Sequence, residues 1–278
     1  MTTVYFNGSY LPKDQVRISP DDRGFLFGDG VYEVVRTYRG KLFALDAHLA
    51  RLRFGVCELG INGVDVDALG RVAEELLRRN ELTSGDATVY FEVTRGVAPR
   101  THCFPDPPVP PTVYLQAARF TPKDDPTKGI AAITVPDIRW ARCDIKTVQL
   151  LPNVLANQQA RAAGVGDALF VRDGVLLEGS HSALFFVLGE EVRTAPKNNY
   201  ILPSITREIL LEICRSSGIP ARESSLFLHD LPRATEAFIA GTTTEVMPLV
   251  RIDDRPIGDG KPGPVSRRLQ QLFRGRIP

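Results

Sequence analysis

One lysine of this chain stands in a setting that suits covalent chemistry. Lys146 lies between Ile145 and Thr147 and precedes an apolar run, so its amine is expected near the interior. A desolvated lysine has a lowered pKa and becomes a nucleophile that forms a Schiff base with an aldehyde or ketone. The alternative is a lysine whose stem covers the core while its ammonium group reaches water. The other six lysines each have a Gly or Pro neighbour, as in exposed turns: Lys13, Lys41, Lys123, Lys128, Lys197 and Lys261.

Three separate segments carry groups that bind phosphate. Arg51 supplies a positive charge at the border of a predicted helix. Ile205 and Thr206 stand at a predicted helix start, where free N–H groups and the helix dipole attract anions. Thr242 begins a run of three threonines after Gly241. Each segment also has a simpler interpretation: a surface charge, a helix cap and the end of a strand.

Two further groups could recognise a ligand by charge. Glu178 lies between two predicted strands, and a buried glutamate there could pair with a heterocyclic nitrogen that can be protonated. Arg100 and His102, on an irregular segment from 95 to 105, form a cationic pair suited to a carboxylate. The alternatives are an ordinary turn glutamate and a salt bridge within the loop.

The first half of the chain predicts a sheet and two helices around these residues. The segment 31–38 alternates as a strand, which places Tyr32 and Val34 on one face and the odd-numbered Glu33 on the other. Asp46 is predicted to cap the helix that carries His48 and Arg51 on one side. A second helix is predicted over 66–80, and further strands over 4–6, 9–11, 42–43, 87–94 and 112–118.

The only good linker candidate is 121–129, which contains two prolines, a glycine and mixed charges. It predicts a small N-terminal α/β domain over 1–120 and a larger domain over 130–278 that carries Lys146. The larger domain is predicted to hold a helix over 153–163, a helix that Pro203-Ser204-Ile205-Thr206 opens and Gly218 stops, and a helix over 265–273. Its strands are predicted over 130–135, 168–171, 175–177, 183–188 and 236–240. The coarse fold class is α+β.

Composition places few further limits on function. A net charge of +1 gives no general basic field for nucleic acid or membrane binding. The four cysteines are far apart, without metal-ligand spacing, which favours a reduced, cytoplasmic setting and no metal site. No signal peptide or run long enough to span a bilayer is recognised.

Several motifs in order give the chain a family resemblance. It resembles fold-type IV pyridoxal-phosphate aminotransferases, and among them those acting on D-amino acids. The resemblance implies a two-domain fold whose larger domain has a barrel-like sheet. The motifs are Asp22-Arg23-Gly24, Phe27 to Val34, His48 to Leu52, Thr94-Arg95-Gly96, Arg142 to Lys146, Glu178-Gly179-Ser180, Ile201-Leu202, Ile205-Thr206-Arg207, Thr242-Thr243 with Glu245, and Gly260 to Pro264.

The resemblance implies pyridoxal 5'-phosphate as cofactor and a role for each matching residue. Lys146 would hold the cofactor and move the proton between it and the substrate α-carbon, while Glu178 would pair with the protonated ring nitrogen. Leu202 would pack on the ring face. Phosphate contacts are implied for Arg51, Ile205, Thr206 and Thr242.

Tyr32, Arg100 and His102 match the family's residues that bind the substrate α-carboxylate. The resemblance therefore implies a D-amino acid as substrate. The arginine and histidine are expected from the other subunit of a homodimer. The implied reaction moves the amino group of a D-alanine-like amino acid to 2-oxoglutarate by a ping-pong route, giving a 2-oxo acid and D-glutamate.

Three alternatives stay open. A branched-chain L-amino-acid aminotransferase would use the same Lys146 and Glu178 without the Arg100–His102 pair. Aminodeoxychorismate lyase has the same fold and lysine but needs no 2-oxo acid acceptor. A binding module without turnover would not need Lys146. One departure from the family pattern, His181 with Ala183 where Ser and Asn are usual, puts the hydrogen bonds near Glu178 in doubt.

Overall fold

The computed structural model describes residues 2–278 and divides them into two compact units. The first unit runs to Thr121 and includes Ile145–Gln149 and Pro278; the second unit comprises Pro122–Asp144 and Leu150–Ile277. The break after Thr121 falls within the predicted linker. The segment with Lys146, however, belongs to the first unit, whereas the linker position predicts it in the larger domain.

The first unit is one antiparallel sheet with two long helices on it. Its strands follow the spatial order β2-β1-β6-β5-β3-β4, and α2 and α3 pack on the sheet to enclose the unit's core. A 3-10 turn covers Lys13–Gln15. The elements are β1 Thr3–Phe6, β2 Ser9–Pro12, α1 Arg23–Phe27, β3 Gly30–Tyr38, β4 Lys41–Leu42, α2 Leu45–Glu58, α3 Val66–Arg79, β5 Ala87–Thr94 and β6 Thr112–Arg119.

Strand β3 shows why the Lys146 segment joins this unit. Its partner β4 is only two residues long, so the first half of that edge of β3 is free of strand pairing. The segment fills this edge: the Tyr32 N–H donates to the Lys146 carbonyl at 3.0 Å, and the Val148 N–H to the Gly30 carbonyl at 3.1 Å. Backbone groups at a sheet edge need such partners.

The predicted alternation of β3 is confirmed. Val31, Glu33 and Val35 are buried, while Tyr32 and Val34 are half-buried. The predicted start of α2 is wrong in detail. Ala44 is at the N-cap with a left-handed backbone and no side-chain cap, and Asp46 lies inside the first turn, where its charge still suits the helix dipole.

The second unit is built on a sheet that closes on itself. Six strands form a ring in the order β10-β14-β15-β7-β8-β9, and the Glu178–Ala183 pairing joins β9 back to β10. Apolar side chains of the ring, among them Leu169, Leu184 and Ile239, form a core cluster. A 3-10 helix covers Leu228–Arg233. The elements are β7 Ile130–Pro136, α4 Leu151–Ala162, β8 Asp167–Arg172, β9 Val175–Gly179, β10 Ala183–Leu188, β11 Glu191–Thr194, α5 Ile205–Ser216, β12 Ala221–Glu223, β13 Leu226–Phe227, β14 Ala234–Gly241, β15 Glu245–Ile252, β16 Arg255–Pro256 and α6 Pro264–Arg274.

The α+β class and the barrel-like sheet are thus confirmed, but one central strand was missed. Strand β15 pairs with β14 on one side and with β7 on the other. Pro248 lies within it, and a proline normally argues against a central strand because it has no N–H to donate. None of the helices in the described part of the chain is both long and apolar enough to cross a membrane.

Candidate active site

Lys146 is half-buried in the first unit and lies against an aromatic ring. Its Nζ is 4.2 Å from the centre of the Tyr32 ring. The backbone bond between the same two residues fixes this approach, because it holds the Lys146 segment against the edge of β3. Neighbouring Ile145 and Thr147 are buried, as the apolar setting predicted. The lysine therefore has a defined position and remains accessible to a ligand.

A buried ionic cluster lies on the other face of β3. Glu33 accepts hydrogen bonds from Arg51 Nε at 2.6 Å and from Arg51 Nη2 at 3.0 Å. The Nδ1 of His48 lies 2.8 Å from the second Glu33 oxygen. Alternation of β3 turns Glu33 inward, and the three-residue spacing of His48 and Arg51 brings both to it from α2. Glu33 and His48 were not recognised as site residues, although an acidic residue on an apolar strand face predicts a buried cation beside it.

The protonation states of this cluster follow from burial and charge. Burial raises the pKa of Glu33, but the Arg51 guanidinium and the His48 hydrogen bond outweigh it and lower the pKa to about 2. Burial also lowers the pKa of His48, only partly offset by Glu33, and the charges of Arg51 and Lys146 lower it further. A neutral His48 therefore donates its Nδ1–H to an ionised Glu33, which holds Arg51 in a two-point contact.

In the second unit, Glu178 is a buried carboxylate with fixed partners. The Leu202 N–H lies 3.2 and 3.1 Å from its two oxygens, and Arg139 Nη1 donates to Oε1. Arg139 is itself held by Asp137 through Nε at 2.9 Å. Burial lowers the pKa of Arg139, but Glu178 and Asp137 raise it overall. Arg139 was missed in the sequence, because nothing about an arginine just after a strand indicates its partner.

The turn after Glu178 has the hydrogen bonds that the sequence left in doubt. Asp167 accepts from the hydroxyls of Ser180 at 2.6 Å and Ser182 at 2.8 Å, and from the Ser180 N–H at 3.1 Å. The His181 ring lies 2.9 Å from the Ser180 hydroxyl. A fully buried aspartate thus anchors the segment that carries Glu178.

The phosphate-binding candidates of the second unit lie at the start of α5 and just after the end of β14. Helix α5 packs against strand β14. Ser204 caps the helix by accepting from the Arg207 N–H at 3.3 Å. The first N–H groups of a helix, here those of Ile205 and Thr206, have no acceptor within the helix. Thr242 directly follows β14 and is half-buried.

The remaining predicted residues lie on the irregular loop between β5 and β6. Arg100 and His102 are exposed and flank one ring: the Arg100 Cζ is 5.3 Å from the centre of Phe27, and the His102 ring centre is 5.8 Å from it. The first unit therefore contains Tyr32, Arg51, Arg100, His102 and Lys146, and the second contains Glu178, Leu202, Ile205, Thr206 and Thr242.

This combination of a fixed lysine, a buried carboxylate and a helix start on a two-unit α+β fold defines a class that the sequence comparisons match. The chain belongs to the amino-transferase class IV family, whose profile matches residues 30–252. It is similar to D-alanine aminotransferase of Staphylococcus haemolyticus, with 41% identity over 98% of this chain and 97% of that protein. It is 38% identical to D-alanine aminotransferase of Bacillus licheniformis over 99% of this chain and 96% of that protein.

Solved structures agree with this fold. The T.th. branched-chain amino acid aminotransferase with pyridoxamine 5'-phosphate superimposes with a TM-score of 0.89 at 27% identity, covering 99% of this chain and 95% of that one. The branched-chain enzyme of Escherichia coli gives a TM-score of 0.91 at 24% identity, over 99% and 94%. At that identity the likeness concerns the fold alone.

Proposed function

We propose that this aminotransferase moves the amino group of a D-amino acid of the D-alanine kind to 2-oxoglutarate. The products are a 2-oxo acid and D-glutamate, formed in two half-reactions through one site. Relatives named D-alanine aminotransferase are 36 to 41% identical over 98% of the chain. The branched-chain structures share the fold at 24 to 27% identity. Because one fold serves both substrate classes, the choice between them depends on the residues that face the substrate.

The cofactor in this proposal is pyridoxal 5'-phosphate, and the residues present suit its three reactive parts. It requires an amine for its aldehyde, an acceptor for its ring nitrogen and donors for its phosphate. When bound, it supplies an aldehyde and an electron-withdrawing ring that stabilises negative charge at the substrate α-carbon. Lys146, Glu178 and the start of α5 have the matching chemistry.

Each residue then has a defined task. Lys146 would hold the cofactor through its aldehyde carbon. Once the substrate amine has replaced it, the freed Nζ would take the α-proton and deliver it to the cofactor carbon on the other side of the substrate nitrogen. Glu178 would accept a hydrogen bond from the protonated ring nitrogen, and Arg139 with the Leu202 N–H holds that carboxylate in a fixed orientation. The Leu202 side chain covers the ring face.

Phosphate contacts are assigned to Arg51, Thr242 and the N–H groups of Ile205 and Thr206. The N–H groups and the dipole of α5 favour an anion at this end of the helix. Arg51 adds a full positive charge that cannot be lost at any working pH. Glu33 and His48 fix the orientation of that guanidinium before the ligand arrives.

The observation that carries the choice of a D-amino acid is the exposed Arg100–His102 pair on a loop held around Phe27. With Tyr32, these residues would bind the substrate α-carboxylate and so decide which enantiomer places its α-proton toward Lys146. Both side chains are exposed on this subunit. We therefore place them in the site of a second copy, so the active enzyme is a homodimer. All four cysteines are free thiols, which supports a cytoplasmic location.

The test is the absorbance spectrum of purified, cofactor-loaded protein before and after separate additions of D-alanine and L-leucine. The proposal expects a yellow protein that bleaches to the pyridoxamine form with D-alanine alone. Bleaching with L-leucine alone would instead identify a branched-chain enzyme. A yellow protein indifferent to both amino acids would favour the lyase reaction.

A further inference from the structure

Three motifs that the proposed chemistry leaves without a role meet around the loop 95–105. They are Asp22-Arg23-Gly24 at the start of α1, Asp29 just after it, and Thr94-Arg95-Gly96 at the end of β5. All belong to the first unit. We propose that Asp22, Arg23, Asp29 and Arg95 form a clamp that positions Arg100 and His102 for the substrate carboxylate. This inference deepens the proposed function and rests on it.

Arg23 holds the middle of the loop through its backbone. Its Nη1 donates to the carbonyl of Thr101 at 2.7 Å and to that of Cys103 at 3.3 Å, the two residues on either side of His102. Arg23 is 3% exposed, whereas His102 is exposed. A buried guanidinium thus fixes two carbonyls of an otherwise irregular, exposed segment.

Asp29 fixes Arg23 in turn. It accepts from Arg23 Nε at 2.9 Å and, through both oxygens, from Arg95 at 2.7 and 2.9 Å. Arg95 also donates to the carbonyls of Leu59 and Gly60 at the end of α2. One carboxylate between two buried guanidinium groups is a rigid, charge-assisted contact because both arginines bind in fixed directions.

Arg95 also reaches the far side of the loop. Its Cζ lies 3.6 Å from the centre of the Phe104 ring, a cation–π contact. Phe104 is 61% exposed, and its ring packs on this guanidinium. The loop is therefore held on both sides of His102, by Arg23 and by Arg95, and both depend on Asp29.

Asp22 ties together the two strand ends between which the loop runs. Its carboxylate accepts from the Gly24 N–H and the Thr94 hydroxyl, both at 2.8 Å, and from the Thr112 hydroxyl. Thr94 ends β5 and Thr112 begins β6. Gly24 has to be glycine because a Cβ there would lie 2.3 Å from the Thr94 methyl group. The clamp thus fixes the loop at its ends and at its middle.

The clamp has a function beyond stability only if the loop's exposed side chains have to be placed accurately. A charged pair that binds a small carboxylate in a fixed direction has this requirement, since displacement of about 1 Å can cost on the order of a hundredfold in rate. Arg23, Asp29 and Arg95 are therefore positioning residues for substrate recognition. They do not touch the reacting atoms.

The experiment compares Arg23→Lys with Arg36→Lys in cofactor-loaded enzyme. Arg36 is also 3% exposed in the first unit, pairs with Asp86 at 2.7 Å and lies against the rings of Tyr38 and Phe120. It therefore controls for loss of a buried guanidinium away from the loop. Lysine keeps the charge but not the two directed bonds to the Thr101 and Cys103 carbonyls.

Arg23→Lys is expected to lower kcat/KM for D-alanine roughly tenfold or more, mainly through a higher KM. The rate of bleaching by ethylamine, which lacks the carboxylate, and the affinity for pyridoxal phosphate should be unchanged. In an Arg100→Ala background, Arg23→Lys should have little further effect, because both changes remove the same contact. Arg36→Lys should leave KM unchanged. Phe104→Ala, which cannot disturb the core, should raise KM in the same direction by a smaller factor.

Three results would overturn the inference. The first is an Arg23→Lys enzyme that is impaired equally with D-alanine and with ethylamine, and the second is a double variant in which the Arg23→Lys and Arg100→Ala effects multiply. The third is a KM for D-alanine that rises as much in Arg36→Lys as in Arg23→Lys. Should Arg23→Lys not fold, an unchanged KM in Phe104→Ala would overturn it. A wild-type enzyme that does not act on D-alanine would overturn the proposed function and this inference together.

Discussion

Each of the two buried carboxylates near the proposed cofactor-binding residues is paired with an arginine. Glu33 is paired with Arg51, and Glu178 with Arg139. Removing one partner of such a pair leaves an uncompensated buried charge, which is costlier than losing the bond itself. The two arginines have different tasks, since Arg51 is assigned to the ligand while Arg139 joins Glu178 to Asp137 and to the Tyr200 carbonyl.

The low pKa of Glu33 predicts a specific loss of stability in acid. Its pKa is about 2 in the folded chain against an unperturbed 4.5. The stabilisation is therefore complete above about pH 4.5 and is lost as the pH falls toward 2. Linkage puts it at about 3 kcal/mol. Glu33→Gln should lower the unfolding free energy at neutral pH by this order and remove that part of the acid dependence, measured by urea unfolding of apoprotein across this pH range.

Glu75→Gln is the matched control for the acid-stability experiment. Hydrogen bonds from Arg78 and Arg79 lower the pKa of Glu75 to about 2 as well, but its side chain lies at the surface of α3. Solvent screens such a pair. A Glu75→Gln protein that lost as much stability as Glu33→Gln, or a Glu33→Gln protein with wild-type acid dependence, would contradict the prediction.

At the scale of elements, a helix start and a strand edge position the residues proposed to bind the cofactor. The first N–H groups of helix α5 have no acceptor within the helix, and the free edge of β3 receives the Lys146 segment. Both placements follow from backbone groups that need partners. The first is proposed to bind the cofactor phosphate, and the second fixes Lys146, the proposed nucleophile, against Tyr32.

The cap of α5 gives a prediction that separates stability from ligand binding. Ser204→Ala should cost about 1 kcal/mol of stability through loss of the Arg207 N–H bond. Because the same turn is assigned to the phosphate, the variant should also bind pyridoxal phosphate several-fold more weakly. Fluorescence or absorbance titration of apoprotein measures this.

Asp65→Ala is the control for that experiment. Asp65 caps α3 in the same way, accepting from the Ala68 N–H at 3.1 Å. Asp65→Ala should lower the unfolding free energy by about as much as Ser204→Ala, with no change in cofactor affinity. Equal weakening of cofactor binding in both variants would show that α5 has no special role.

At the scale of the whole molecule, the proposed homodimer predicts that defective subunits restore one another. Lys146→Ala removes the nucleophile, and Arg100→Ala removes the carboxylate contact. If Arg100 serves the site of the other subunit, a mixed dimer has one intact site and one doubly defective site. Coexpression with random pairing should then restore about a quarter of wild-type activity at low D-alanine concentration.

Each variant expressed alone provides the control for complementation. If Arg100 served its own subunit, the mixed dimer would contain no intact site. Activity would then stay at the level of the Arg100→Ala enzyme. Size-exclusion chromatography with light scattering checks that the mixed species is a dimer.

Local pattern was sufficient for most helices and strands, whereas the roles of the site residues stay predictions. Alternation over 31–38 and the helical spacing around Leu210 gave the right elements, and the positions of Lys146 and Glu178 were unusual enough to single out. Local pattern failed where pairing with neighbouring strands determines whether a segment forms a strand. Strand β15 contains Pro248, yet it is stabilised as a strand by β14 and β7 on its two sides.

The sequence by itself determined the coarse α+β class, because alternation and helical spacing are local properties, and it determined the family through the resemblance of several motifs in order. Only the tertiary structure decided the partners: Arg139 for Glu178, Glu33 with His48 for Arg51, and Arg23 for the loop that carries His102. These contacts join residues far apart in the chain, up to 80 positions for Arg23 and Cys103. Their physical basis is a buried charge that must find an opposite charge or a carbonyl, and which one it finds depends on how the elements pack.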